Sequence, residues 1–219
     1  ATPCTSYTIG YDACDSIVLL KVHEADWAKI LKVKLGRGEE EDKRMIRLIR
    51  SLTDKPIYVD ANQGWPTKEH ALMMCQWLAD QGVVMIGQPM PKHMNEEHAW
   101  LCEQVNLPIL ADEACQTYDD VEKLAPYYDG INIKLMKCGG VAEARKMIAL
   151  ARELGMQVMI GCMTEARAGI SAATILSPLV DYADLDGHVL IANDPYDGIQ
   201  IVDGKLTLVD KPGTGVSPL

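Results

Sequence analysis

Ile30-Leu31-Lys32-Val33-Lys34, Ile57-Tyr58-Val59-Asp60, Val83-Val84-Met85-Ile86-Gly87, Ile109-Leu110-Ala111-Asp112 and Ile131-Asn132-Ile133-Lys134 form a series, and reading it decides the fold. Each run has the length and apolar content of a buried strand. Their starts at 30, 57, 83, 109 and 131 leave room for one helix between neighbours. Working outward, the same pattern predicts eight strands at 5–10, 30–34, 57–60, 83–87, 109–112, 131–134, 157–161 and 181–184. Helices are predicted at 14–27, 39–52, 67–81, 95–105, 118–125, 140–154 and 165–176. Strand and helix in strict alternation predict an α/β fold, a TIM-type (β/α)8 or (β/α)7β barrel.

Local signals mark the helix ends. Glu39-Glu40-Glu41-Asp42 puts acids at a helix start, with Arg44, Arg47 and Arg50 towards its end, as the helix dipole favours. Thr67, three residues before His70, is a candidate cap. Gly82 and Gly155 stand where helices must stop. The last residues break the pattern. Ile199-Gln200-Ile201-Val202, an Asp203-Gly204 turn and Lys205-Leu206-Thr207-Leu208-Val209 predict a hairpin outside the barrel. The expected division is a barrel over 1–195 and a hairpin with tail over 196–219.

Composition narrows the function. The 219 residues carry a net charge of −10, which argues against nucleic acid as a partner. No apolar stretch approaches the ~18 residues of a membrane span. Cysteines at 4, 14, 75, 102, 115, 138 and 162 form no C-x-x-C pair. Unclustered thiols and no visible secretory signal predict a cytoplasmic protein. There is no phenylalanine, so the eleven methionines are expected to help fill the core.

The strand ends carry the chemistry, because residues there converge on one mouth of a barrel. Lys32 and Lys34 share one side of a strand, and their mutual repulsion is expected to lower one ammonium pKa. Asp60 and Asp112 offer hard oxygen ligands suited to Mg2+. Lys134, from the sixth strand, lies across the ring from Lys34. Two bases flanking a metal can remove an α-proton from one face and return it to the other, through a metal-stabilised enediolate. Asp184 and Asp186 can clamp a cationic group. Gly87 stands where the series would place another carboxylate.

Together these segments resemble a known family. Thr5-Ser6-Tyr7-Thr8-Ile9-Gly10, Lys32-Val33-Lys34, Val59-Asp60-Ala61-Asn62-Gln63-Gly64-Trp65, Gln88-Pro89, Ala111-Asp112-Glu113, Asn132-Ile133-Lys134, Gly139-Gly140, Gly161-Cys162-Met163 and Asp184-Leu185-Asp186 are similar to the barrel of dipeptide epimerases, the L-Ala-D/L-Glu epimerase-like branch of the enolase superfamily. The resemblance implies Mg2+-dependent epimerisation of a small dipeptide. Lys34 and Lys134 would be the acid/base pair, supported by Lys32. Asp60 and Asp112 would be two of three metal ligands, Asp184 and Asp186 would hold the dipeptide ammonium, and Thr5 or Tyr7 would line the pocket.

Two departures from the family follow. The third ligand is a glutamate in the family and Gly87 here, which predicts a weakened Mg2+ site. Glu113 is expected to point to the far side of its strand and not to replace it. The family also has an N-terminal capping domain of roughly a hundred residues, within small-domain size. A first strand at residue 5 predicts that this chain lacks it. An uncapped mouth would leave apolar surface that favours a homo-oligomer. Two other readings stay open: a Schiff-base lyase using a low-pKa lysine, and a truncated or engineered barrel with little native activity.

Overall fold

A computed structural model describes residues 2–219. Eight strands form one parallel sheet in sequential order: β1 (Ser6–Ile9), β2 (Ile30–Lys34), β3 (Ile57–Asp60), β4 (Val83–Gly87), β5 (Ile109–Ala111), β6 (Gly130–Lys134), β7 (Gln157–Gly161) and β8 (Tyr182–Asp184). A parallel bridge from Thr5 to Ala183 joins the last strand to the first and closes the ring. The barrel expected from the spacing is the barrel observed.

Helices follow the strands: α1 (Asp15–Glu24), α2 (Glu39–Arg50), α3 (Lys68–Asp80), α4 (Asn95–Gln104), α5 (Tyr118–Leu124), α6 (Leu135–Cys138), α7 (Val141–Glu153) and α8 (Arg167–Thr174). The Thr67 side chain accepts the His70 amide and caps α3. Thr117 and Asp120 close a reciprocal capping box on α5. In α7 the buried positions are Ala144, Met147, Ile148 and Ala151, one stripe at helical spacing. The short α6 was not expected from periodicity. It matters because it carries a buried lysine described below.

The core has two parts. The main one lies between sheet and helices, where the outward-facing strand residues meet the helix stripes. The smaller one fills the barrel interior with Tyr58, Met85, Leu110 and Met159. Two of these four are methionines, whose adaptable side chains suit an irregular space with no phenylalanine to fill it. This apolar plug is the floor of the mouth. One step further along β3, β4 and β5 the inward positions become Asp60, Gly87 and Asp112.

After β8 the chain leaves the barrel. Strands β9 (Tyr196–Asp197) and β12 (Ser217–Pro218) pair with each other, and β10 (Gln200–Val202) pairs with β11 (Lys205–Thr207) across the Asp203-Gly204 turn. That turn packs against the start of β1: the Thr5 amide donates to Gly204 O at 2.8 Å, and Lys29 pairs with Asp203 at 2.8 Å. Among the described residues no helix is long and apolar enough to cross a membrane.

Candidate active site

Parallel register lines the chemical groups up in two sets. Lys34 is opposite Asp60, Asp60 opposite Gly87, and Gly161 opposite both Lys134 and Asp184. The loops after β2 and β3 touch backbone to backbone. A Cβ on Gly64 would lie 2.3 Å from the Gly36 Cα, and Gly36 adopts φ +87°, so both positions require glycine. This contact seats the loops that follow Lys34 and Asp60.

The mouth is a lattice of alternating charges. Lys32 Nζ lies 2.6 Å from Asp184 Oδ2 and 3.1 Å from Asp60 Oδ2. Lys34 Nζ lies 2.6 Å from that same Asp60 oxygen. Across the ring, Lys134 Nζ lies 2.8 Å from Asp112 Oδ2. Lys137, on α6, donates to Asp112 Oδ1 at 2.9 Å, to Asp112 O at 2.7 Å and to Asn132 O at 3.1 Å. Asn132 Nδ2 donates to Asp112 Oδ2 at 2.9 Å. The Lys32 side chain is 7% exposed and that of Lys34 35%, so Lys34 is the one open to a ligand.

Burial and pairing oppose each other here. Burial pushes Asp112 up, but the Lys137 and Lys134 ammoniums outweigh it and hold the carboxyl well below its usual range. Asp60 is likewise lowered against burial by Lys32 and Lys34. The lowering expected for one lysine of the pair does not fall on Lys32. Burial does push it down, yet Asp184 and Asp60 overcome this and raise it well above the ordinary lysine value. Carboxylates in contact outweigh a neighbouring ammonium. Asp186 behaves differently: burial and then the Asp184 charge raise it to about 6. Its Oδ2 accepts the Thr8 amide at 2.7 Å, and among the described residues no ammonium pairs with it.

A cavity of about 190 Å3 opens among these groups, lined by Thr8, Lys32, Lys34, Lys134, Asp184 and Asp186 with Cys162, Met163, Thr164 and Leu190. This is below the roughly 300–1,000 Å3 of sites for drug-sized ligands and suits a small substrate. Two expected lining residues are elsewhere. Thr5 is fully buried, its hydroxyl donating to Ser6 O and accepting the Leu185 amide. Tyr7 packs edge-on against Trp27, ring centroids 5.2 Å apart. Side-chain alternation gives the reason: Ser6 and Thr8 face the barrel axis, so Thr5 and Tyr7 face away. Ser6 Oγ donates to Asp184 Oδ1 at 2.7 Å.

The carboxylate oxygens suit a hard cation in kind and fall short in number. Among the described residues no three acidic, histidine or cysteine side chains converge closely enough to ligate one ion as they stand. Two features nevertheless fit one. A Cβ built on Gly87 meets only Val59 O, at 3.6 Å, so there is room for a side chain at that position. Glu113 Oε2 is buried without a hydrogen-bond partner. Glu113 follows the end of β5 at Ala111, and its Oε1 accepts Asn62 Nδ2 from the loop after β3 at 3.0 Å.

Residues 19–219 match the family model described as enolase C-terminal domain-like. This chain belongs to that family. It is 55% identical over 216 residues to an L-Ala-D/L-Glu epimerase of Bacteroides thetaiotaomicron, covering 98% of this chain and 56% of that protein. An L-Ala-D/L-amino acid epimerase of Pedosphaera parvula is 41% identical, with 95% and 60% covered. The chain thus spans little more than half the length of these relatives. Among solved structures, a dipeptide epimerase from Enterococcus faecalis superposes with TM-score 0.89 at 33% identity, covering 98% of this chain and 65% of that one. One from Cytophaga hutchinsonii, complexed with Mg and the dipeptide D-Ala-L-Val, superposes with TM-score 0.90 at 28% identity, covering 99% and 61%.

Proposed function

We propose that this mouth epimerises dipeptides by moving one α-proton between Lys34 and Lys134. The observation that carries the reading is their placement: two lysines from β2 and β6, on opposite sides of an eight-strand ring, both lining one small cavity. A dipeptide α-carbon between them would present one face to each. One lysine takes the proton as a base and the other returns one as an acid, so configuration inverts. Asp186, without an ammonium of its own, accepts the dipeptide's amino group, and Asp184 orients Lys32. Lys32 stays charged and holds Asp60 in place.

Asp60 and Asp112 would hold Mg2+, and the metal supplies positive charge that stabilises a carboxylate gaining electron density. With Gly87 in the third position the affinity is reduced, since fewer carboxylates face the ion. Lys34 and Lys134 each share a carboxylate oxygen with that pair. They must leave those oxygens to reach a substrate. The Asp203-Gly204 turn of the C-terminal segment 196–219 braces the start of β1. The test is α-proton exchange of L-Ala-L-Glu in D2O with Mg2+, followed by 1H NMR. Slow, Mg2+-dependent loss of the glutamyl α-proton signal is expected; no exchange at saturating Mg2+ would sink the reading.

A further inference from the structure

Lys34 is the more open of the two opposed lysines, its side chain 35% exposed against 11% for Lys134. The chain that leaves it has few restraints of its own. β2 ends at Lys34, and one backbone bond extends the pairing, from the Leu35 amide to Asp60 O at 2.9 Å. Gly36 at φ +87° and Gly38 at φ +110° follow, conformations that only glycine adopts at little cost. The Gly36 backbone lies against Gly64, and the hydrogen bonds that keep it there come from one side chain.

That side chain is Asp42. Of the acidic run Glu39-Glu40-Glu41-Asp42 at the start of α2, only Asp42 is buried, and it is buried fully. Its partners are N–H groups. Asp42 Oδ1 accepts the Arg37 amide at 2.9 Å, and Oδ2 accepts the Gly36 amide at 3.0 Å and the Trp65 indole Nε1 at 3.0 Å. Burying a carboxylate is costly unless its oxygens are hydrogen-bonded, and the α2 dipole also favours the charge there. Trp65 is itself anchored. Its ring is fully buried, its amide donates to Pro89 O at 3.1 Å, and the Gln63 amide donates to Gln88 O at 2.8 Å. Asp42 thus ties the loop after Lys34 to the loop after Asp60, and that loop is pinned to the segment after β4.

We propose that Asp42 is a positioning residue for Lys34: it fixes the loop that leaves Lys34, and so sets where the ammonium goes when it comes off Asp60. The inference rests on the two-lysine reading above. Once Lys34 leaves Asp60 Oδ2, the reach of its flexible side chain is set by its backbone, and proton transfer is sensitive to small misplacements. Lys134 draws its support from elsewhere: it pairs with Asp112, which Lys137 holds from α6. Loss of Asp42 therefore misplaces one base of the two, and its effect falls on one face of the α-carbon.

The experiment follows α-deuteration of L-Ala-L-Glu and L-Ala-D-Glu separately, by 1H NMR in D2O with Mg2+, for this chain, Asp42→Asn and Trp65→Phe. Lys34→Ala and Lys134→Ala, measured alongside, mark which epimer each lysine serves. Asp42→Asn keeps the size of the side chain, but its amide nitrogen must face one of the N–H donors and leave it unpaired. Exchange of the epimer served by Lys34 is expected to slow about 10- to 100-fold, up to the scale of a 1 Å misplacement, and exchange of the other by less than about threefold. Trp65→Phe removes one of the three bonds, keeps a ring in the core, and should bias the same epimer by about threefold. Equal slowing of both epimers, no slowing, or slowing of the epimer served by Lys134 would each overturn the inference and leave the two-lysine reading standing. If Asp42→Asn does not fold, Trp65→Phe decides by the same criteria. If this chain exchanges neither epimer, or the two lysine variants spare the same one, the two-lysine reading falls and the inference with it.

Discussion

Two arcs of the mouth differ in how they hold charge. In the arc formed by β8, β1 and β2, each oxygen of Asp184 has its own donor, Ser6 on one and Lys32 on the other. The arc formed by β3, β4 and β5 has a glycine at its centre and an unpartnered carboxylate oxygen beside it. Its aspartates are steadied largely by lysines from outside it, Lys32 and Lys34 from β2, Lys134 from β6 and Lys137 from α6. The first arc is held by its own partners, and the second by charge borrowed from outside it.

The comparison breaks most readily at Asp184. Asp184→Asn leaves Lys32 buried with only Asp60, and removing one partner of a buried pair costs about 3–5 kcal/mol. Urea unfolding is expected to show a loss of that order, and a loss under about 1 kcal/mol, the scale of exposed pairs, would mean the first arc is not fixed by its ion pair. Next comes pH. Asp186 is raised to about 6, mainly by burial and then by Asp184, so below that pH it is neutral and cannot hold an ammonium. KM for a dipeptide should therefore fall as pH rises through about 6, by up to tenfold per unit, and level off above. Asp186→Asn should raise KM and abolish the step, and a step that persists would place it on another group. The smallest effect belongs to Gly87→Ala. Its Cβ meets only Val59 O at 3.6 Å, so stability should change by less than about 1 kcal/mol. A larger loss in a urea titration would show that the second arc has no room at that position.

Much of this was legible in the sequence because a parallel barrel repeats one unit. Strand, helix and turn signals agreed at each repeat, and register then lined up Lys34 with Asp60 and, through Gly161, Lys134 with Asp184. The misreadings came from the ends of strands, where the period stops. Thr5 was placed in the pocket against the parity that Lys32 and its partner Thr8 already imply. Lys137 was missed because α6 is too short to show a helical stripe; three residues after Lys134, it can share that residue's side of a helical turn. The raised Lys32 pKa was not legible for a different reason. Sequence shows which charges are near in the chain, and here the deciding carboxylates come from β3 and β8.

The central claim is that two opposed lysines each serve one face of one α-carbon. Its most direct test follows α-deuteration of L-Ala-L-Glu and L-Ala-D-Glu separately, by 1H NMR in D2O, with Lys34→Ala and Lys134→Ala. Both variants should lose epimerisation by about 10^2–10^4-fold, the usual contribution of a general acid or base. Each should still exchange the α-proton of one epimer only, and the two variants should spare opposite epimers. Epimerisation surviving in either variant, or both variants sparing the same epimer, would contradict the account.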